Sequence, residues 1–320
     1  MWKYIIRRTI QAIPLLIIIS IISFLLITIA PGDPLDMYRS SEGAEAVDTS
    51  AIEEKLGLDK PLYIQYFNWL KLLVLDGNLG YSFEDGRPVM EKILERVPAT
   101  MLLMGVAIGF SFLIAIPIGV YSAVKKYSWF DNFLTSFTYI GIAVPSFYLA
   151  LMAILVFSLK LDWFPPSDMM SNYDEFELMD RIKHLVLPAS VLAFGLIASN
   201  SRFMRSSMLE VIKQDYVRTA RAKGVPENTV IYKHALRNAL LPIITILGLS
   251  LPGLFAGALF IEQIFAWPGM GRLAINAIFV RDYQVIMGTT MFAGVMVVLG
   301  NLIADILYAI VDPRIQYGKN

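Results

Sequence analysis

The chain has 320 residues, 56% of them apolar, with 27 basic side chains against 27 acidic ones. Zero net charge supplies no field to draw nucleic acid, and the absence of cysteine excludes disulfide frameworks and thiolate metal sites. A mean hydropathy of +0.59, gathered into apolar blocks of about twenty residues, excludes a soluble enzyme and describes an all-α polytopic membrane protein.

A helix crossing about 30 Å of hydrocarbon needs roughly 20 apolar residues. Residues 9–30 form the first such block. It exceeds a signal-peptide core of about 7–15 residues, and the "APGDP" after it lacks a small-x-small cleavage pattern, so it reads as a retained span. Residues 62–75, "LYIQYFNWLKLLVL", are aromatic, apolar and too short to cross, which suits a helix lying in the membrane interface. Five more spans are expected at 100–124, 133–159, 185–201, 239–261 and 285–311, giving six transmembrane helices. The expected division is 1–95 (first span and a long outer segment), 96–312 (five helices with a charged loop) and a tail at 313–320.

Loop charge sets orientation, because Lys and Arg stay on the cytoplasmic side. Lys3, Arg7 and Arg8 precede the first span, and Lys125 and Lys126 follow the second. The loop 202–237 carries eight basic residues against three acidic ones. The intervening loops are acidic: thirteen against seven over 31–99, and six against three over 158–183. The alternation places both termini in the cytoplasm.

The loop between the fourth and fifth spans is also strongly punctuated. Gly224 after "YVRTARAK" suits a left-handed helix cap, Lys223 the negative end of a helix dipole, and Pro226 the first position of a new helix. Ile231, Ala235 and Ala239 follow at i+4 steps, with Lys233 and Arg237 on a neighbouring stripe. The reading is helix, corner, helix: either an amphipathic surface loop or an element that docks into a partner.

Eleven stretches, among them "IIRRTIQAIPLL", "APGDP", "GNLGYSFEDGRPV", "ERVPAT", "AVPSF", "ARAKG", "HALRNALLP", "WPGMGRLA", "RDYQVIMG" and "DPRIQ", resemble in family order the permease subunits of binding-protein-dependent ABC importers. The form is that of the dipeptide, oligopeptide and nickel permeases, and the long segment after the first span resembles the B-type subunit. The resemblance implies a type I ABC importer fold. It also implies a second homologous permease subunit, two cytoplasmic ATPase subunits holding ATP and Mg, and an extracytoplasmic solute-binding protein. This chain would bind no cofactor itself and catalyse nothing. The 205–238 loop would carry the coupling ("EAA") helix, with Tyr216, Val217, Arg218, Thr219, Ala220, Arg221, Ala222, Lys223, Gly224 and Val225 meeting an ATPase subunit. Where the general motif has Glu-Ala-Ala, this chain has Arg218, Thr219 and Ala220. The acidic stretch 42–59 suits the delivered binding protein or a solvated loop equally.

No phosphate-cradling "GxxxxGK[ST]" occurs, and there is no "HExxH" or "GxSxG". Two distant histidines, His184 and His234, make no metal site. Pro145, Ser146, Pro242, Gly248, Pro252 and Gly253 are pore or packing candidates, since proline frees a carbonyl and small residues let helices close up. Asp305 in the sixth span is either a proton-coupling carboxylate, as in an ion-coupled secondary transporter, or an interfacial carboxylate paired with a basic residue.

Overall fold

The computed structural model describes residues 2–29, 32, 35, 50, 53–54, 57–250, 252–256 and 258–311. For residues 2–5, 8–9, 255–256 and 305–311 it describes the backbone alone. Among the described residues there is no strand; one isolated bridge joins Tyr81 and Pro88. The helices are α1 (Trp2–Ile29), α2 (Leu62–Asp76), α3 (Val89–Val124), α4 (Trp129–Ala143) and α5 (Ser146–Ala153, continuing as a π-helical Ile154–Lys160). They continue as α6 (Leu178–Val211), α7 (Asp215–Ala222), α8 (Glu227–Ser250), α9 (Gly253–Ala256), α10 (Leu259–Ile264), α11 (Met270–Phe279) and α12 (Tyr283–Val311). Among the described residues, five helices are long and apolar enough to cross a membrane, or six when the bent pair α4–α5 is one span.

Two expected spans are corrected. The third is not straight: α4 and α5 meet at 100°. Pro145 has no N–H to continue the ladder and pushes Val144 into the extended region, ψ 125°. The fifth span does not run to 261, because α8 ends at Ser250. Pro252 follows two residues later, and the chain goes on in the short helices α9 and α10. The fourth span, expected as the shortest, belongs to a 34-residue helix.

Two compact units divide the chain: Met1–Thr100, Phe255–Leu259 and Pro268–Val298 in one; Met101–Leu254, Phe260–Trp267 and Leu299–Asn320 in the other. The first unit has a core of Trp69, Leu79, Val89, Ile93, Met270, Val285 and Met287. α2 lies on α1 through Tyr66, whose hydroxyl is 2.9 Å from that of Ser20 and whose ring is 5.5 Å from Phe24. The neighbouring face of α2, with Tyr63, Phe67 and Val74, is exposed, as an interfacial helix requires. A Cβ on Gly288 of α12 would collide with Val89 of α3, so glycine there sets the close crossing.

The turn after α2 wraps the start of α12. Asp282 is buried. It accepts a hydrogen bond from Ser82 at 2.5 Å and caps α12 by accepting from the Val285 N–H at 3.2 Å. "GYSFEDGRPV" and "RDYQVIMG", distant in sequence, are thereby one structure.

In the second unit, the C-terminal part of α3 crosses α6 so closely that a Cβ on Gly119 would stand 2.6 Å from the Met204 Cβ. Met204 and Met208 then join Ile108, Val120, Val217, Val230, Ala235 and Ala239 in a single core.

Candidate functional site

The corner between α7 and α8 is built by backbone hydrogen bonds. Val225 N–H reaches Ala220 O at 3.3 Å and Gly224 N–H reaches Arg221 O at 3.0 Å, the pair that defines a Schellman cap. Gly224 takes φ 74°, a conformation only glycine adopts without strain. Pro226 is the N-cap of α8, with ψ 137°, one position before the expected first helical turn. Its carbonyl still accepts from Thr229 and Val230.

The ten residues expected to form one contact divide by face. Val217 and Ala220 are buried in the second unit's core beside Val230 and Ile231, and Val225 packs partly against them. Tyr216, Arg218, Thr219, Arg221, Ala222, Lys223 and Gly224 are exposed. Their charges are partly engaged: Arg221 pairs with Glu227 at 2.6 Å and Arg218 with Asp215 at 3.3 Å. The Glu227 carboxylate beside Arg221 raises the pKa of its guanidinium. Asn238 of α8 donates to the Tyr216 hydroxyl at 2.8 Å. The expected stripe Ile231, Ala235 and Ala239 is buried, while Lys233 and Arg237 are exposed. Ser207 of α6 donates to the Ala239 carbonyl at 2.8 Å. The corner is thus a stiff wedge clamped to α6 and α8.

Sequence reasoning missed the polar centre of this unit. Asp131, at the start of α4 and 1% exposed, receives Arg205 of α6 in a two-pronged pair: Nε at 2.7 Å and Nη2 at 2.8 Å. Ser122 of α3 and the Tyr127 N–H also bond its carboxylate, and Ser128 caps α4 by accepting from the Asp131 N–H. One carboxylate thereby ties α3, α4 and α6. The available signal was a lone acid in a loop otherwise read as basic.

The pore candidates do not share one place. Pro145 and Ser146 are exposed at the α4–α5 break, and Pro242 is exposed within α8. Gly248 and Pro252 face α12: a Cβ on Gly248 would meet Ala304 at 3.1 Å, and one on Gly300 would meet Pro252 at 2.8 Å. Gly253 approaches Met104. Asp305 lies on α12, with its side chain outside the described residues, as are most of 42–59 and the "APGDP" segment. His184 is buried, its Nδ1 2.9 Å from the Asp180 carbonyl. Among the described residues no group of three or more His, Asp or Glu could hold a metal.

Long apolar helices, a broken span and a clamped wedge between two spans define a polytopic membrane protein. The family model "Binding-protein-dependent transport system inner membrane component" matches residues 115–317, and its N-terminal companion matches 1–104. The chain belongs to this family: it is an inner-membrane permease of an ABC importer, a transport subunit that works in a complex with ATPase and solute-binding partners and not an ATPase itself. An ion-coupled secondary transporter finds no support. The chain is 49% identical over 318 residues to the "Oligopeptide transport system permease protein AppB" of Bacillus subtilis, covering 99% of this chain and 100% of that one. It is 38% identical to the "Dipeptide transport system permease protein DppB" of Alkalihalophilus pseudofirmus, covering 99% and 100%. A chain of the MetNI methionine ABC transporter, solved in inward-facing conformations, matches with TM-score 0.55 and 16% identity over 70% of this chain and 97% of that one. At that identity the likeness shows the fold, a type I ABC importer permease.

Proposed function

We propose that this permease imports peptides and forms half of the translocation pore beside a second, homologous subunit. Two ATPase subunits holding ATP and Mg would drive it from the cytoplasm, and a solute-binding protein would deliver cargo from outside. Both termini and the 205–238 loop are cytoplasmic in this reading, which the alternating loop charges support. The divisions at 95/96 and 312/313 remain part of it. The names of the relatives support peptide cargo.

The observation that carries the coupling role is the wedge. Its inner side chains Val217 and Ala220 are locked into the core, while Tyr216, Arg218, Thr219, Ala222 and Lys223 stand exposed on the other side. A force applied to that face reaches α6 and α8 without a flexible joint. The docking contact is therefore assigned to those outward residues, with Val217, Ala220, Arg221, Gly224 and Val225 shaping the wedge. Pro145, Ser146 and Pro242 are retained as pore or gate positions, and Gly248, Pro252 and Gly253 as helix-crossing positions. The test is purification from the native membrane followed by reconstitution. Co-purification of a P-loop ATPase and ATP-dependent uptake of a labelled di- or oligopeptide are expected. An assembly without an ATPase, or one that moves no peptide, overturns the reading.

A further inference from the structure

α4 and α6 flank a cavity of about 560 Å³ in the second unit. Thr135 and Tyr139 line it from α4, and Ser199, Arg202, Arg205 and Ser206 from α6. Every polar side chain there can donate a hydrogen bond, and none is a carboxylate. The two cations differ. Arg205 is neutralised by buried Asp131. Arg202, three residues earlier, makes no ion pair among the described residues; its guanidinium lies 4.9 Å from the centre of the Tyr139 ring. A guanidinium held on an aromatic face keeps its in-plane N–H fork available, the geometry that grips a carboxylate with two parallel bonds.

We propose that this cavity receives a carboxylate on the transport path, and that the carboxylate is the C-terminal one of a peptide in transit. The proposal rests on the peptide-import reading above. Arg202 binds the carboxylate, Tyr139 is a positioning residue that holds the guanidinium, and the Thr135 and Ser199 hydroxyls complete the donor set. A residue present only to fix orientation, or one held by a lipid phosphate, would not distinguish cargo by its terminus.

The test uses the full importer, with its ATPase subunits and binding protein, in proteoliposomes. It is given two uncharged-side-chain peptides that differ only in a free or amidated C-terminus and that the binding protein holds equally. Wild type is expected to take up the free acid about tenfold faster, the worth of one charge-assisted hydrogen bond. Arg202→Gln and Tyr139→Leu should each shrink that ratio to within about twofold, while Arg202→Lys and Tyr139→Phe retain part of it. A wild-type ratio near one, or equal slowing of both peptides by Arg202→Gln with the ratio kept, overturns the proposal. Equal slowing that depends on anionic lipid assigns Arg202 to a phospholipid headgroup and overturns it too. If wild type hydrolyses ATP on addition of its binding protein but takes up neither peptide, the peptide-import reading itself fails.

Discussion

Arg221 and Glu227 form an ion pair at 2.6 Å across the corner that Gly224 turns. Both side chains are substantially exposed, so the pair contributes only about 0.2–1 kcal/mol. The corner is held instead by the Schellman hydrogen bonds and by the φ 74° of Gly224.

Gly224→Val therefore damages the corner more than Arg221→Ala. No atom lies within 4 Å of a Cβ built there, so the penalty is conformational: about 1–2 kcal/mol for a left-handed residue other than glycine. Gly224→Val should reach the membrane at normal levels yet lose ATPase co-purification and uptake. Arg221→Ala should keep both nearly intact. Normal coupling in Gly224→Val would remove α7 from the coupling path.

The Asp131–Arg205 pair is the larger stake. Removing one partner of a fully buried pair costs about 3–5 kcal/mol; here Arg205 is 26% exposed, so the loss is smaller. Asp131→Asn should lower the thermal midpoint of the detergent-solubilised protein, and adding Arg205→Met to it should restore part of the loss. A double variant worse than the sum of the singles would count against the pair.

The 77–88 turn should come apart in acid. Burial opposes ionisation of Asp85, but hydrogen bonds from the Lys92 ammonium and the Arg87 backbone N–H outweigh it and hold the carboxyl at about 2, against an ordinary 3.8. With the folded pKa below the unfolded one, the folded state binds fewer protons. The contribution is then complete above about pH 4 and lost as pH falls through 2. Pepsin cleavage of this turn, normalised to an unstructured peptide, should rise between pH 4 and 2 in wild type. In Asp85→Asn it should already be high at pH 4. A flat profile in wild type would contradict the assignment.

Orientation is open to chemical labelling. A single cysteine at Ser167 should react with an impermeant thiol reagent added outside, and one at Asn228 should not. Reaction at Asn228 from outside would place the corner away from any cytoplasmic ATPase.

The corner is legible in the sequence because its determinants are local: a glycine after a basic helix, a proline two residues on, and a small-residue stripe at i+4 spacing. The spans are legible by length and composition. The break at Pro145 is hidden because hydropathy averages over "AVPSF" without registering a missing N–H. Asp131 is hidden because its loop was read from Lys125 and Lys126, and its partner lies 74 residues on. Gly248 and Pro252 could serve a pore or a helix crossing by sequence alone, and only the approach of Ala304 and Gly300 shows the crossing.

Ser82 and Asp282 are 200 positions apart in a chain of 320, and the core around them mixes Trp69, Val89 and Ile93 with Met270, Val285 and Met287. A ribosome builds the first half of that core long before the second. Until α12 begins, Val89 and Ile93 have no Met287 to pack against, and Ser82 has no acceptor. Closure of this unit therefore registers that synthesis has passed α12, and a chain stopped before it keeps an open apolar face for quality-control proteases to find. Pulse-labelled chains ending before residue 268 should decay faster than chains ending after 298; equal half-lives would show that the cell does not read this closure.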